Sequence, residues 1–438
     1  MQSPIRLRPQ KGACSITEKT KTVSSMTTTQ CCIVGGGPAG LVLGYLLARA
    51  GVEVIVLEKH ADFLRDFRGD TIHPSTIEIM HALGLLNEFL QLPHQRLPRL
   101  FAQFGPDRLL MANFSRLRAK APFIAMMPQW DLLNFLAEKA KALPGFRLLM
   151  EAEARELLTE SGRITGVVAN TPNGLLQINA VLTVAADGRT SRMREAAGLR
   201  IHDLGAPIDV LWFRLSREPG DTEETQGRFD AGQIFIMLNR SDYWQCAYVM
   251  PKGSFDNKKT AGIAAFREEL AQLLPIDASR AEELETWEQV KLLSVQVNRL
   301  ETWWRSGLLC IGDAAHAMSP VGGVGVNLAV QDAVAAANLL ADPLRRSVLT
   351  DRHLQAVQRR RMWPTRATQR LQIIIQDRVL LSALRKRSNF RAPLALRLIS
   401  SIPLLRDMPG RLVGIGLRPE HPNTVVSPSE AAIPMRRA

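Results

Sequence analysis

The sequence predicts an α/β protein with three parts: a mainly parallel sheet with helices, an inserted antiparallel sheet, and a set of C-terminal helices. Its 438 residues suffice for two or three domains of about 150 residues. Strand, glycine-rich turn, helix and strand follow each other over residues 30–57, which is typical of a parallel βαβ unit. Strand-like runs crowd together between residues 203 and 255. Helical spacing then dominates after residue 327.

The first part takes its elements from hydrophobic spacing and turn residues. Residues 30–34 and 52–57 are predicted strands, and residues 38–50 are a helix between them. A helix over 75–84 is predicted from a capping box of Ser75 and Glu78, and a longer helix spans about 130–142. Residues 151–184 form two or three strands, with turns at Ser161-Gly162 and Asn173-Gly174.

The second part is predicted from closely spaced strands at 210–215, 233–238 and 243–250, followed by helical stretches near 266–274 and 280–287. The chain then returns at 308–311 to the first part. We expect a discontinuous first domain (27–200 and 300–345), with part of 85–125 joining a second domain (201–299). Residues 346–438 form a basic helical region. Residues 1–26 are either a disordered extension or lie upstream of a true start at Met26.

Composition excludes several classes of protein. With 46% hydrophobic and 22% charged residues, wholesale disorder is not expected, and no apolar run approaches the roughly 18 to 20 residues of a membrane span. The net charge of +13 belongs to the ends: residues 351–438 hold 17 basic and five acidic residues, whereas 26–350 are slightly acidic. We therefore predict no nucleic-acid partner. Five cysteines without metal-ligand spacing indicate no metal site and a reducing, cytoplasmic location.

The glycine-rich turn is the first motif whose residues indicate a chemical function. Gly35, Gly37 and Gly40 form a G-x-G-x-x-G between a strand and a helix, and Glu58 ends the next strand. Such glycines allow a tight turn, approach to a pyrophosphate and close packing of helix on strand. The acid is placed to bind ribose hydroxyls. The pattern predicts a dinucleotide site.

A second motif lies nearly 280 residues downstream. Cys310–His316 reads CIGDAAH, and residues 320–327 read PVGGVGVN. Asp313 follows a strand and can hold polyol hydroxyls. A helix opening near Val326 can direct backbone N–H groups and its positive end at an anionic ring.

With these two motifs and ADGRTSRMR at residues 186–194, the sequence resembles the group A flavin-dependent aromatic monooxygenases of the p-hydroxybenzoate hydroxylase fold. The three signatures stand in the family's order and cover about residues 30–335. The resemblance implies a Rossmann-like FAD-binding domain, an inserted substrate domain and FAD as cofactor. It implies these cofactor-binding residues: Gly35, Gly37, Pro38, Ala39, Gly40, Glu58, Lys59, Arg68, Gln129, Asp187, Asp313, Pro320, Gly323, Gly325, Val326 and Asn327.

The implied reaction is the hydroxylation of an aromatic or polycyclic, lipophilic small molecule by NAD(P)H and O2 through a flavin C4a-hydroperoxide. NAD(P)H would be a transient co-substrate, because there is no second G-x-G-x-x-G. Substrate would lie between flavin and inserted sheet, where some of Trp212, Phe213, Phe235, Met237, Tyr243 and Trp244 face a pocket. His73 is the one weak candidate for a catalytic group, and an exposed or buried structural histidine is the favoured interpretation.

Other interpretations remain open at this point. A non-oxygenating FAD oxidoreductase acting on an isoprenoid or other lipophilic substrate shares the same motifs, and a prenyl-binding escort protein of related fold would need neither flavin nor catalysis. A halogenase is disfavoured because its Trp-x-Trp-x-Ile-Pro pattern is missing. The basic C-terminal helices are expected to cover the two domains, with peripheral membrane contact as a second interpretation. The protein could be a monomer or a homodimer.

Overall fold

The computed structural model describes residues 23–64, 71–230, 232–385 and 391–423. Up to residue 200, short helices alternate with strands. The elements of this part are β1 (Val23–Val34), α1 (Pro38–Arg49), β2 (Val54–Leu57), β3 (Thr71–Ile72), α2 (Pro74–Ala82), α3 (Leu86–Phe89), β4 (Gln95–Leu97), β5 (Arg99–Phe104), β6 (Asp107–Asn113), β7 (Ile124–Met126), α4 (Gln129–Lys141), β8 (Phe146–Leu149), β9 (Glu153–Glu160), β10 (Arg163–Thr171), β11 (Gly174–Ala185) and α5 (Arg192–Ala196).

Strands dominate the middle of the chain, and helices dominate its end. The middle comprises β12 (Ile201–Asp203), β13 (Ile208–Ser216), β14 (Gln226–Asp230), β15 (Gln233–Asn239), β16 (Tyr243–Pro251), α6 (Phe255–Ala261), α7 (Ile263–Ala271), β17 (Lys291–Ser294) and β18 (Asn298–Leu300). The end comprises β19 (Trp304–Arg305), β20 (Leu308–Cys310), β21 (His316–Ala317), α8 (Gly325–Arg345), α9 (Asp351–Ile375), α10 (Leu381–Arg385), α11 (Leu394–Ser401), α12 (Pro403–Arg406) and α13 (Met408–Gly414).

The first sheet has the order β19-β20-β11-β1-β2-β8, and β10 and β9 extend from β11 as an antiparallel hairpin pair. Strands β20, β11, β1, β2 and β8 run parallel to one another. Their interior is apolar on both faces, as expected for a parallel sheet covered by helices. Cys31, Cys32 and Cys310 are fully buried there, and burial raises the pKa of all three thiols, which act as small core side chains.

The second sheet has the order β17-β13-β16-β15-β14-β5-β6. Its pairs are antiparallel except for β14 with β5. Strands β5 and β6 come from residues 99–113, so this early segment of the chain joins the second sheet. One face of the sheet packs against α7 through an aromatic cluster that includes Phe213, Phe235 and Phe266. The opposite face is also apolar, because side chains alternate along each strand.

Three predicted details differ from the structure. Strand β1 begins at Val23 and pairs with β11 from there, so residues 23–26 belong to the sheet, and residues 1–22 lie outside the described chain. Helix α2 begins at Pro74 after His73, because a proline is favoured in the first helical turn. The predicted capping box is therefore wrong: Ser75 is inside the helix, and the Glu78 carboxylate accepts from the Lys120 N–H. Residues 278–289 contain two short 3-10 turns rather than a helix.

Helix α8 is the central helix of the fold. Together with the turn before it (Val321–Arg345), it is the one helix of the described residues long and apolar enough to cross a membrane, and 67% of that stretch is buried in the protein. It packs against α1 on one side and α9 on another. These packed surfaces account for its apolar composition.

Candidate functional site

A chamber of about 1980 Å³ is lined by residues of both sheets. This volume is well above the roughly 300 to 1,000 Å³ of a pocket for one small molecule. One end, here called the cofactor end, is lined by glycine turns and charged groups next to the parallel sheet. The other, the substrate end, is lined by apolar side chains of the second sheet and of the C-terminal helices. The chamber therefore has room for a dinucleotide and a second molecule.

The turn after β1 shapes the first wall of the cofactor end. Gly35 has a φ of 109°, and a Cβ there would lie 2.3 Å from the Ala186 carbonyl oxygen. A Cβ on Gly40 would lie 1.9 Å from the Gly35 oxygen, so this glycine permits the close packing of α1 on the turn. At Gly37, by contrast, a Cβ would meet nothing within 4 Å. Gly37, Pro38 and Ala39 line the chamber.

Two helices have their N-termini at this wall. Helix α1 begins after Gly37 and helix α8 begins after Val324, and neither has a side-chain cap or an acidic residue in its first turn. Pro320, Gly323, Gly325 and Val326 line the chamber beside α8. Helix α9, which begins elsewhere, has a capping box of Thr350 and His353. Two uncapped positive helix ends at one chamber favour an anionic ligand.

Glu58 stands at the end of β2 with its carboxylate at the chamber wall. One carboxylate oxygen accepts from the Gly36 N–H at 3.1 Å, and the other accepts from the His60 N–H at 3.0 Å. The same oxygen lies 2.5 Å from His60 Nδ1. These contacts fix a buried acid, and a carboxylate has further lone pairs for ligand hydroxyls. Lys59, also predicted here, is exposed at the chamber's rim.

Asp187 and Asp313 lie on neighbouring turns at the carboxyl ends of β11 and β20. Asp187 accepts from Ser191 Oγ at 2.5 Å and from the Met193 N–H at 3.2 Å, and burial raises its pKa. Arg189, which the sequence did not single out, pairs with Asp313 at 3.4 Å. Both aspartates and Arg189 line the chamber.

Asn327 and His73 lie behind the chamber wall rather than on it. The Asn327 amide oxygen accepts from the His73 N–H at 2.9 Å and from Thr76 Oγ1 at 2.7 Å, and its amide group donates to the Thr71 and Gly323 carbonyls. Asn327 thus ties the α8 turn to the start of α2 instead of bordering a ligand.

The His73 side chain is fully buried, and its Nδ1 lies 2.8 Å from the Val413 carbonyl oxygen of α13. Burial lowers its pKa to about 4, so the ring is neutral and its Nδ1–H donates. It does not line the chamber. The favoured interpretation of a buried structural histidine agrees with this geometry, and His73 as a group that touches ligand does not.

Gln129 begins α4 and lines the chamber, and its contact with the cofactor stays a prediction. Arg68 lies outside the described residues.

A buried charge cluster supports the Asp313 turn from below. The Asp332 carboxylate accepts from the Gly312 N–H at 3.2 Å, from His316 Nε2 at 2.5 Å and from Arg361 Nε at 2.9 Å. Burial by itself would raise the pKa of Asp332, but His316 and Arg361 lower it below its ordinary value. Arg361 also reaches Glu420 at 3.4 Å. The cluster thereby joins the cofactor end to the C-terminal segment.

The substrate end is formed by alternate residues of the second sheet. Of the six residues proposed from sequence, Trp212 lines the chamber. Phe213, Phe235, Met237 and Trp244 instead belong to the core on the opposite face, and Tyr243 does not line the chamber either. The residues of β13, β15 and β16 that line the chamber are Ile208, Val210, Trp212, Ile234, Ile236, Leu238, Ala247 and Val249.

The C-terminal helices supply a wall that sequence reasoning missed. Leu396, Ile399, Leu405, Met408, Leu412 and Ile415 line the chamber. Helix α13 packs closely against β6. The close approach requires a glycine at position 410, because a Cβ there would lie 2.1 Å from the Asn113 carbonyl oxygen. The apolar spacing of this region is visible in the sequence. The two interpretations drawn from it were a cover over the two domains and a contact with a membrane, and neither was a wall of the chamber.

The cofactor end fits FAD on its own geometry. Gly37 leaves open the space that a pyrophosphate needs, and the two uncapped helix ends would compensate negative charge. Glu58 and Asp313 offer carboxylate oxygens for ribose and ribityl hydroxyls. Gly35 to Ala39, Glu58, Asp187, Asp313 and Gly323 to Val326 are the residues that would hold the cofactor.

Comparison with known proteins supports this assignment. A family model described as "FAD binding domain" matches residues 28–371. A 6-methylpretetramide 4-monooxygenase of Streptomyces rimosus is 32% identical over 386 residues, covering 88% of this chain and 92% of that protein. A rifampicin monooxygenase of Streptomyces venezuelae is 28% identical over 314 residues, covering 69% of this chain and 61% of that protein.

Solved structures show the same fold. The p-nitrophenol 4-monooxygenase of Pseudomonas putida is 20% identical and superposes with a TM-score of 0.70, covering 89% of this chain and 95% of that one. At this identity the likeness concerns the fold alone. The family model covers most of the chain, and the match to the relative from Streptomyces rimosus spans nearly the whole length of both proteins. The chain therefore belongs to the FAD-binding family of group A flavin monooxygenases, and FAD is its cofactor.

Proposed function

We propose that this protein uses NAD(P)H and O2 to hydroxylate a lipophilic aromatic or polycyclic small molecule held in the substrate end of the chamber. The observation that carries the proposal is that one chamber is lined by polar turns that fit FAD and also by apolar side chains of the second sheet and the C-terminal helices. The names of two relatives, monooxygenases of 6-methylpretetramide and of rifampicin, support the choice of reaction.

When bound, FAD supplies the redox chemistry, accepting electrons from NAD(P)H and passing them to O2. The chain's own residues bind and orient. The α8 turn, held by Asn327, aims the positive end of the helix at the chamber. Ile236, Val249 and the neighbouring apolar side chains exclude water and hold substrate by burial of apolar surface.

No side chain of the described part of the substrate end is assigned as a general base. Gln226, Thr225 and Arg411 are polar groups on that wall, and the neutral His73 lies behind it.

The test combines a visible spectrum of the purified protein with substrate screening. We expect a flavin spectrum, and NADH or NADPH oxidation that a matching polycyclic phenol accelerates. With ¹⁸O2 the product should gain one labelled oxygen atom. NAD(P)H oxidation that yields a reduced or dehydrogenated product without incorporated oxygen would overturn the proposal and favour a non-oxygenating FAD oxidoreductase.

A further inference from the structure

Helix α11 presents apolar side chains to both the chamber and the solvent. Leu396 and Ile399 line the chamber. Leu394 and Leu398, one turn apart on the other side, are 74% and 58% exposed, and Ile402 just after the helix is 41% exposed. We call Leu394, Leu398 and Ile402 the outer apolar face. A single exposed apolar side chain needs no explanation, but three neighbouring ones, on a helix and just after its end, indicate a contact surface.

The charge around this face restricts what can cover it. Residues 391–406 contain three arginines and no acidic residue. Arg391 and Arg397 are exposed beside the leucines. A second copy of the chain would bring two faces of the same positive charge together, which electrostatics disfavours. An anionic lipid surface offers both apolar depth for the leucines and opposite charge for the arginines.

The chamber wall reaches the protein surface on α13, which contacts α12, and α12 contacts α11. Met408 and Leu417 both line the chamber and are 62% and 39% exposed, and Arg411 on the same rim is exposed as well. The other exposed rim, at Lys59, His60 and Arg192, lies at the cofactor end. The exposed rim at Met408 therefore belongs to the same C-terminal helical segment as the outer apolar face.

We propose that the outer apolar face, with Arg391 and Arg397, docks on the surface of an anionic lipid bilayer and places the Met408 rim against the lipid. The leucines enter the boundary between headgroups and acyl chains, and the arginines contact lipid phosphates. The docking depends on this surface alone. It would hold even if the reaction proposed above were different.

The experiment is co-sedimentation of the FAD-loaded protein with vesicles of pure phosphatidylcholine or of phosphatidylcholine with phosphatidylglycerol. We expect binding to the anionic vesicles at low salt and weaker binding as salt rises. The double variant Leu394→Asp/Leu398→Asp should lose about tenfold or more in bound fraction over free. Arg391→Glu/Arg397→Glu should lower the ratio of bound to free protein at least about fivefold for each arginine replaced. These four side chains do not line the chamber.

Leu292→Asp is the matched control, because Leu292 is 44% exposed on β17 of the second sheet. It should bind vesicles like the unmodified protein, and every variant should keep its flavin content. No binding to anionic vesicles at low salt would overturn the proposal, as would equal losses in Leu292→Asp and the leucine double variant. A dimer in light scattering that Leu394→Asp/Leu398→Asp dissociates, without vesicle binding, would assign the face to a second copy.

Discussion

The two ends of the chamber are built by different means. At the cofactor end, backbone turns, helix N-termini and buried carboxylates form the wall, and most of them lie within two short motifs around residues 35–58 and 312–327. At the substrate end, apolar side chains come from the second sheet, which includes β5, and from the chain after the start of α9, so that Leu100 and Leu405 line the same chamber although 305 residues separate them. The first end is determined by local conformation, and the second by how distant elements pack.

This difference predicts which parts of the site tolerate amino-acid substitution. A backbone turn such as that at Gly35 and Gly40 has few alternatives, because a Cβ would collide with other backbone atoms. An apolar wall tolerates exchange of one hydrophobic side chain for another of similar volume. The chamber thus combines a fixed cofactor site with a substrate site that can change its shape while the fold is kept.

The largest expected effect concerns the buried cluster around Asp332 and Arg361, which joins the cofactor end to the C-terminal segment. Asp332→Asn should lower the free energy of unfolding by about 3 to 5 kcal/mol, because Arg361 stays buried with its main carboxylate partner neutralised. Chemical denaturation of the FAD-free protein measures it. The exposed Asp342→Asn on the same helix is the control. A loss below about 1 kcal/mol, the value of a surface pair, would contradict a structural role for the cluster.

His73, whose Nδ1 lies 2.8 Å from the Val413 carbonyl oxygen of α13, gives the stability of the fold a pH dependence. Its pKa is about 4 in the folded protein and about 6.5 when unfolded, so protons bind the unfolded chain first as the pH falls. Stability should be constant above pH 6.5 in this respect and decline by about 3 kcal/mol between pH 6.5 and 4.

His73→Asn keeps a donor near Val413 and should remove this part of the decline, as measured by denaturation across that pH range. His81→Asn, exposed on the same helix, should keep it. Equal pH profiles for His73→Asn and the unmodified protein would show that His73 does not cause the decline.

At the cofactor end alone, Gly37→Val should weaken FAD binding about a hundredfold. Gly37 has φ and ψ of −74° and −176°, which valine can adopt, and its Cβ would enter the space assigned to the pyrophosphate. Titration of the apoprotein with FAD measures the loss, and its thermal midpoint should stay unchanged. Gly220→Val, on an exposed loop with equal space around it, serves as the comparison; equal affinities for both variants would place the pyrophosphate elsewhere.

The smallest effect belongs to the substrate end. Ala247→Phe should reduce kcat/KM for a polycyclic substrate at least about tenfold, because the added ring occupies chamber volume opposite the cofactor end. FAD content and spectrum should not change. Ala265→Phe on the exposed side of α7 is the control. If flavin content fell together with kcat/KM, the two ends would not be as separate as the structure indicates.

The sequence predicted the fold class well because each feature is local. The βαβ unit of β1, α1 and β2 follows from apolar spacing around a glycine turn, and in the turns Ser161-Gly162 and Asn173-Gly174 both glycines have positive φ, which glycine adopts readily. The capping box at Ser75 failed for a local reason too, because Pro74 competed for the helix start. Domain limits and cofactor contacts of individual residues, such as Lys59, stay predictions.

What the sequence determined by itself is the cofactor: short motifs specify turns, helix ends and acids whose conformation depends on neighbours in the chain. What only the tertiary structure decided is the substrate end and the supporting contacts. Period-two alternation does not say which face of β13 or β15 meets the chamber, so Trp212 and Phe213 could be told apart only by packing. Likewise, the bonds of His73 to Val413 and of Asp332 to Arg361 join segments far apart in sequence, and such pairings arise only when the whole chain has folded.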